Sequence, residues 1–401
     1  MSGIEIKSPK DILRHIAKLK ELRVLGEIFK ESQETAPKPN IDFPYNKWSL
    51  YIRLVHLLYV PLYTSIISEY FAEFYYIDLF AGSGIGILKP EGDYANMCKE
   101  DVIPIGGSPL IAMCFATKRH FTKLILVEQD TNRAELLKKR VSKFIQISQE
   151  DPWRRHYWPC SSLARQITSE KVEIRNSDAN IVINKIMEEL EDKQEDLYRR
   201  QRRGIHAYIL IDPEGMEFKR KSLDRILTSK VRSDIIELFN TYGVIMQASK
   251  VIREGYDDKS LTEFLGPSWE EFIKKEVSKS GRKLEELKHN ELADLLVKYR
   301  INTYSESGRI VERLPIHLSK KRTFDLLISS RRTKGGNPYF KAFRSIARYV
   351  EEAGESKYKI VDEFIHYICT GKLPGLLKYI IENPEDVIRK YGTMRRYGER
   401  S

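Results

Sequence analysis

Apolar runs recur along the chain and alternate with amphipathic stretches, a pattern that predicts alternating strands and helices. The runs lie within residues 75–79, 124–127, 172–174, 207–211 and 233–240. Runs without polar interruption, such as 124–127 and 207–211, are typical of strands buried on both faces of a parallel sheet, whereas residues 172–174 alternate. The pattern therefore predicts an α/β fold with a doubly wound sheet.

The rest of the chain is expected to organise around this sheet. A charged helix and a linker occupy residues 1–44, and a long aromatic helix begins the main domain, residues 45–352. A mostly helical insert spans residues 258–305 and is either a lid, a substrate-binding element or a structural appendage. Residues 309–319 and 323–330 predict a closing antiparallel pair, and residues 353–401 predict a basic helical tail.

The first candidate site follows the first apolar run. Residues 75–86 read Tyr-Tyr-Ile-Asp-Leu-Phe-Ala-Gly-Ser-Gly-Ile-Gly, so the strand ends at Asp78 and opens onto alternate glycines. Glycine allows positive φ and close approach of a ligand. In a doubly wound sheet a nucleotide-like cofactor binds at this edge. A glycine-rich turn without a ligand is the alternative, and the spacing differs from the dinucleotide pattern.

An acidic residue also ends the second run, at Glu128. In nucleoside-binding folds such a carboxylate accepts hydrogen bonds from the ribose hydroxyls, usually about 20 residues after the glycines. The distance is longer here because residues 88–107, rich in Pro and Gly, are expected to form a loop. The next helix is then expected to begin with Ser108 as N-cap and Pro109 as its first residue. A solvated strand-end carboxylate is the alternative for Glu128.

The third run leads into a polar turn, Asn-Ser-Asp-Ala-Asn at residues 176–180. The Asp178 carboxylate can accept a hydrogen bond from an adenine amino group. It can equally cap the helix that follows, which is the more frequent role of such a residue.

The fourth run ends in Asp-Pro-Glu-Gly at residues 212–215. The strand prediction is clear, since Pro and Gly end the run sharply.

Together these motifs resemble the three-Cys-motif partner protein family, which is similar to class I S-adenosylmethionine-dependent methyltransferases. The likeness runs over residues 45–345 and rests on the four motifs and on Gly-Ser-Pro at residues 107–109. It implies a Rossmann-like, seven-stranded methyltransferase sheet, S-adenosyl-L-methionine as cofactor and a possible protein partner that carries the three cysteines. The cofactor-binding residues that it implies are Asp78, Phe80, Gly82, Gly84, Gly86, Glu128, Asp178 and Ala179.

Methyltransferases that act on exocyclic amino groups carry a polar residue, two prolines and an aromatic residue at the fourth motif. This chain keeps Asp212 and Pro213 but has Glu214 and Gly215 next. The candidate catalytic residues are Asp212, Pro213 and Glu214, with Asp212 holding the acceptor or Glu214 acting as general base. The departure also favours an alternative, a weakly catalytic or non-catalytic partner protein with a methyltransferase fold.

The charge of the chain favours a polyanionic partner. The net charge is +11 over 401 residues, and basic residues cluster within 199–203, 219–221, 320–322 and 331–334. Such clusters suit nucleic acid, with RNA expected ahead of DNA. Residues 153–158, Trp-Arg-Arg-His-Tyr-Trp, suit either stacking on unpaired bases or packing on the sheet.

The remaining composition is that of an intracellular enzyme. The four cysteines are too widely spaced for a zinc site, and a disulfide framework is not expected. No apolar signal core and no apolar run near 18 residues is found, so we expect a cytoplasmic protein without a membrane span. The histidines form no catalytic constellation, and His56 is expected to be a satisfied core or surface residue. No metal site is expected.

Overall fold

The computed structural model describes residues 18–30, 42–45, 47–90, 100–150, 159–317, 322–333 and 359–372, with Asn96, Cys98, Lys378 and Glu382. Several predicted features lie outside these residues: residues 8–17, the aromatic and cationic segment 153–158, Lys320, Lys321, Lys334 and most of the tail 353–401.

The strands carry the apolar runs found in the sequence. Their bounds are β1 Phe43–Tyr45, β2 Glu73–Asp78, β3 Ile85–Leu88, β4 Ile103–Gly106, β5 Lys123–Glu128, β6 Val172–Asn176, β7 Ile205–Ile211, β8 Arg232–Phe239, β9 Arg309–His317 and β10 Arg322–Arg331. All seven residues of β7 are buried, as expected of a central strand covered on both faces.

Helices connect most of these strands. Their bounds are α1 Leu19–Lys30, α2 Lys47–Tyr70, α3 Ser108–Cys114, α4 Thr131–Gln149, α5 Ala179–Gln201, α6 Arg220–Thr228, α7 Thr241–Glu254, α8 Lys259–Leu265, α9 Trp269–Ser278, α10 His289–Glu306 and α11 Lys359–Thr370.

Seven strands form one sheet in the order β6-β5-β2-β7-β8-β10-β9. The pairs β2–β5, β5–β6 and β7–β8 are parallel, whereas β10 is antiparallel to both β8 and β9. The predicted doubly wound, Rossmann-like methyltransferase sheet and its closing antiparallel pair are thus confirmed.

The segment between β2 and α3 differs from the prediction. Residues 88–107 were expected to be a loop, but β4 lies within them and pairs antiparallel with β3, which ends at Leu88. Strand β1 adds to β3, forming a three-stranded sheet. The helix cap also moves one residue earlier. Gly107 is the N-cap of α3, so Ser108 and Pro109 occupy its first two positions.

The described chain divides into two compact units. One comprises described residues within Met1–Asn176 and Lys334–Ser401, and the other is Ser177–Thr333. We call them the first and second unit. In the first unit α1 packs tightly on β4, because a Cβ added at Gly26 would lie 2.1 Å from the Pro104 carbonyl oxygen.

Helix α2 belongs to the core of the first unit. Within the described chain, its stretch Ser49–Tyr70 is long and apolar enough to cross a membrane by length and composition alone. Arg53 and His56 interrupt the apolar pattern, so the sequence did not show a continuous run. Because 94% of the relevant window is buried inside the protein, the stretch has the burial of a core helix.

The cysteines correct another expectation. Two disulfides are present, Cys98–Cys369 and Cys114–Cys160. The paired residues are 271 and 46 positions apart, so their spacing in the sequence gave no sign of pairing. Burial shields both bonds, since Cys98 and Cys114 are almost inaccessible.

The predicted helical insert is anchored in the second unit by a buried ion pair. Arg300 on α10 donates to the Glu237 carboxylate of β8, with an Nη2–Oε1 distance of 2.5 Å. The Tyr304 hydroxyl donates to the same carboxylate at 2.6 Å, and Arg300 also donates to the Phe264 carbonyl at 3.1 Å. Because these groups are buried and hydrogen-bonded to one another, the insert is a fixed part of the second unit.

This anchor yields a stability prediction. Glu237→Leu leaves the Arg300 charge buried without its carboxylate, so the free energy of unfolding should fall by about 3–5 kcal/mol. The double variant Glu237→Leu, Arg300→Met should regain much of this loss, because it removes both buried charges.

Urea unfolding measures both effects. The control is Glu270→Ala, which breaks an exposed pair with Lys274 on α9 and should cost roughly 0–1 kcal/mol. An equal loss in Glu237→Leu and in the control would contradict the anchoring role.

Candidate functional site

The strand-end carboxylate Asp78 is fully buried and fixes the start of the glycine turn. The Tyr76 hydroxyl donates to its Oδ2 at 2.9 Å, and the Phe80 amide donates to its Oδ1 at 3.2 Å. Asp78 thus orients the loop from beneath, and Phe80 follows it as a half-buried residue.

His56 supports the same network from helix α2. Its Nε2 lies 3.2 Å from the Ser108 carbonyl oxygen and 3.3 Å from the Tyr76 hydroxyl. Burial, with the charge of Arg53, lowers the pKa of His56 to about 3, so the ring is neutral. Since a carbonyl only accepts, the tautomer protonated at Nε2 fits best. The expectation of a satisfied core histidine is confirmed.

The glycine turn crosses the carboxyl end of β5. Gly82 and Gly84 have φ of 60° and 86°, which is the left-handed region that favours glycine. The Gly82 amide donates to Glu128 Oε2 at 2.9 Å, and the Ala81 amide donates to the Val127 carbonyl at 2.8 Å. Two motifs that lie 46 residues apart in the sequence are therefore joined by direct hydrogen bonds.

Gly86 has a different environment from the other two glycines. It lies inside strand β3, where a Cβ would stand 2.0 Å from the Tyr45 ring. Its lack of a side chain makes room for that ring, and the residue lies beyond the turn itself.

Glu128 is nearly buried, and it is hydrogen-bonded through both oxygens. Besides the bond from Gly82, its Oε1 accepts from the Asp130 amide at 2.8 Å. Burial raises the pKa of Glu128, while the amides and Arg133 offset part of the rise. A carboxylate has about four lone-pair sites, so each oxygen retains capacity for a hydroxyl donor.

A buried ion pair lies beneath the turn and was not found from the sequence. Arg140 on α4 donates to both oxygens of Asp42, at 2.6 and 2.9 Å, and to the Ser83 carbonyl at 2.9 Å. The Ser83 hydroxyl donates to Asp42 at 2.5 Å. Arg140 and Asp42 are almost inaccessible to solvent, so these bonds tie the turn to the interior of the first unit.

In the second unit, Asp178 occupies the N-cap of α5. Its Oδ1 accepts from the Asn180 backbone amide at 2.6 Å. Asp178 therefore caps the helix, which is one of the two roles expected from the sequence. Ala179 is the first residue of the helix and is buried. The cap directs the carboxylate toward the helix N-terminus, where negative charge is favourable.

Asn180 was missed by the sequence analysis and organises the loop after β7. Its side-chain oxygen accepts from the Lys219 amide and the Ser222 hydroxyl, each at 2.8 Å. Its amide nitrogen donates to the Glu217 carbonyl at 2.8 Å. The sequence gave little indication of this role, because an Asn in a polar turn is common and its three partners lie 37 to 42 residues further along the chain.

The Asp-Pro-Glu-Gly segment lies at the carboxyl end of β7. Asp212 is half-buried, Pro213 is buried and Glu214 is exposed. The Asn240 side chain bridges from the neighbouring strand end, since its Nδ2 donates to the Glu214 carbonyl at 3.3 Å. Asn240 also caps α7 by accepting from the Gly243 amide at 2.9 Å.

The basic clusters are partly engaged by acidic neighbours. Lys219 pairs with Glu263 on α8 at 2.9 Å, and Arg220 pairs with Asp224 at 2.7 Å. Arg199 and Arg200 lie at the C-terminal end of α5 and are 79% and 72% exposed. In chain order, residues 219–221 follow the Asp212 loop, whereas residues 199–203 precede β7.

Each unit carries polar groups near strand ends. In the first unit Glu128 ends β5 and accepts from the glycine turn; in the second unit Asp178 caps α5 and Asp212 follows β7. Within the described ranges, no group of three or more His, Cys, Asp or Glu residues is arranged to hold a metal ion.

Comparisons with known proteins give fold-level likeness at most. No protein-family model and no curated protein matches the sequence. One similar solved structure is protein LPL1258 from Legionella pneumophila, of family DUF519, with 11% identity and a TM-score of 0.36 over 74% of this chain and 89% of that chain. Another is Trm1 from Pyrococcus horikoshii with S-adenosyl-L-methionine, with 12% identity and a TM-score of 0.34 over 76% and 61%.

The chain thus spans less than two thirds of the Trm1 structure. The methyltransferase-like fold stated above rests on the strand order of this chain.

The buried Glu128 carboxylate, which accepts from the Gly82 amide, yields a prediction of how stability depends on pH. The pKa of Glu128 is higher in the folded protein than in the unfolded chain. Protonated Glu128 therefore stabilises the folded state, and this contribution is complete at pH values below the unfolded pKa. This contribution is lost as the pH rises through the folded pKa. The free energy of unfolding of the wild type, relative to Glu128→Gln, should therefore fall as the pH rises above the ordinary pKa of glutamate and through the raised pKa of folded Glu128.

Urea unfolding across this range measures the difference. The control is Glu135→Gln, which removes an exposed carboxylate from helix α4. A wild-type curve that rises against Glu128→Gln over the same range would contradict the burial of Glu128.

Proposed function

We propose that this protein is an S-adenosyl-L-methionine-dependent methyltransferase that acts on a base nitrogen of nucleic acid, RNA ahead of DNA. The observation that carries the proposal is the hydrogen bond from the Gly82 amide to Glu128. It places a positive-φ glycine turn and a strand-end carboxylate at one edge of the first unit. Nucleoside cofactors are held by such an edge in doubly wound folds.

The residues present fit the cofactor. Gly82 and Gly84 leave backbone open to close approach, and each oxygen of Glu128 can accept one more bond from a ribose hydroxyl. Asp178 is suited to accept from the adenine amino group, with Ala179 beside it. Asp78, Phe80 and Gly86 hold and flank the turn. When bound, the cofactor supplies a methyl group activated by the sulfonium charge, so no metal is required.

Asp212 is proposed to hold the acceptor. Its carboxylate and the Pro213 carbonyl accept hydrogen bonds from an amino group, which directs the nitrogen lone pair toward the methyl carbon. The acceptor nitrogen would release its proton to water while Asp212 and Pro213 hold it in place. If the acceptor must lose its proton first, Glu214 takes it as general base. Orientation of this kind contributes on the order of 7–11 kcal/mol to lowering a barrier.

Charge supports nucleic acid as the substrate. The net charge of +11 favours association with phosphates. Lys221 is exposed in the first turn of α6, shortly after the Asp212 loop, and residues in this position are suited to contact the backbone beside the target base.

One observation favours a second candidate function. Glu214 and Gly215 stand where a proline and an aromatic ring would hold a base in amine methyltransferases. The chain would then resemble the three-Cys-motif partner proteins more closely, keep the cofactor fold and act beside a second protein with little or no turnover. Such a protein binds the cofactor but leaves every nucleoside unmodified.

Calorimetry tests the cofactor. S-adenosylmethionine and its demethylated product should bind the wild type, and ligand at about 100 times its Kd should add roughly 2.7 kcal/mol of stability. Asp178→Ser keeps a capping hydroxyl but removes the carboxylate, so it should weaken binding at least tenfold while the protein stays folded.

The matched control is Asp258→Ser, which alters another capping aspartate, the N-cap of α8. It should bind the cofactor as the wild type does. Lack of binding to the wild type at millimolar ligand would refute the cofactor assignment.

Single-turnover assays with labelled cofactor test the chemistry, and mass spectrometry of the product nucleosides identifies the acceptor. Asp212→Ala should lose nearly all turnover with cofactor affinity retained, the signature of lost transition-state contacts. Asp212→Asn should keep some activity, since its amide oxygen still accepts.

If Glu214 is the general base, Glu214→Gln is the severe variant, and the wild-type rate falls as pH drops through the base's apparent pKa. No methylated nucleoside with wild-type protein on RNA or DNA, despite cofactor binding, would leave the partner-protein function standing.

A further inference from the structure

Helix α7 begins beside the Asp212 loop and exposes an unusual stripe. Tyr242 and Met246 are 47% and 39% exposed, and Lys250 is exposed one turn further. Positions four residues apart share one face of a helix. Exposed positions of a surface helix are usually polar, so two large apolar side chains in succession require an explanation.

Hydrogen bonds fix the start of α7, which carries this stripe, to the Asp212 loop. The Asn240 side chain accepts from the Gly243 amide and donates to the Glu214 carbonyl. A Cβ added at Gly243 would lie 3.1 Å from the Asn240 side chain, so glycine gives this bridge its room. The opposite face of α7 is buried through Val244, Ile245 and Ala248. The first turn of α7 is therefore fixed against residues 212–214.

The loop itself offers no ring. Residues 212–217 read Asp-Pro-Glu-Gly-Met-Glu, so a planar acceptor held by Asp212 would find no aromatic side chain there. Tyr242 lies two residues after Asn240 and supplies one from the neighbouring strand end. Lys250 lies roughly 12 Å further along the helix axis, a spacing that suits a phosphate one or two nucleotides from the stacked base.

We infer that Tyr242 and Met246 form a stacking platform for an unpaired nucleobase, with Lys250 on the adjoining phosphate. This inference rests on the proposed function and names its substrate class as single-stranded nucleic acid. A ring on which a base stacks, followed by a cation, is the combination that binds single strands with little sequence preference. A duplex presents no free base face to such a stripe.

Fluorescence anisotropy with a labelled single-stranded oligoribonucleotide tests the platform, with a duplex of the same sequence alongside. Tyr242→Ala should raise the single-strand Kd on the order of tenfold or more, as expected for loss of one stacked base. Tyr242→Phe should stay within about twofold, since its ring is retained. Met246→Ala should give a smaller loss, and the duplex Kd should not respond to Tyr242→Ala.

The matched control is Tyr256→Ala. Tyr256 is 57% exposed and follows the C-terminal end of the same helix, away from the Asp212 loop. Equal Kd values for Tyr242→Ala and Tyr256→Ala, or equal losses on single strand and duplex, would overturn the inference. So would failure of the wild type to bind single strands.

Calorimetry with S-adenosylmethionine separates this result from the proposed function. Tyr242→Ala should bind the cofactor as the wild type does. If the wild type binds no cofactor but loses single-strand affinity in Tyr242→Ala, the platform stands and the methyltransferase assignment fails. If the wild type binds the cofactor but Tyr242→Ala leaves the single-strand Kd unchanged, the stacking platform is refuted while the methyltransferase assignment is not.

Discussion

The buried ion pair between Arg140 and Asp42 is the constraint on which the glycine turn depends. Neither charge is stable in the interior without the other, and both reach Ser83 at the centre of the turn. Gly82 and Gly84 on either side are then held at positive φ, which leaves the Gly82 amide directed at Glu128. The geometry of the candidate cofactor edge thus depends on a salt bridge that is buried from solvent.

The sheet was predictable from the sequence, and the small sheet before α3 was not. Strands such as β7 are continuous apolar runs, so their pattern alone identifies them as buried. Strands β3 and β4 are four residues each and rich in glycine and proline. Their pairing depends on contacts with β1 and on the tight packing of α1, and both are tertiary effects that a local pattern does not contain.

The candidate site shows the same division. Glu128 and the glycines were predicted to lie close together because strand ends collect at one edge of a parallel sheet, and the bond from Gly82 to Glu128 shows that they do. Arg140 and Asp42 lie 98 residues apart and are ordinary charged residues in the sequence, so nothing marked them as partners. Asn180 has its partners in a loop that follows the next strand, and Asp178 serves as the helix cap that its local turn had also indicated.

The chain begins in the first unit, runs through the second unit and then returns to the first. Cys98 and Cys369 belong to the two separate segments that make up the first unit, so their bond closes that unit covalently. Helix α11, which carries Cys369, is therefore bonded to the N-terminal segment of the first unit directly as well as through the backbone of the second unit. The second unit is part of the covalent ring that this disulfide closes, so a break in its backbone would leave the two segments of the first unit joined.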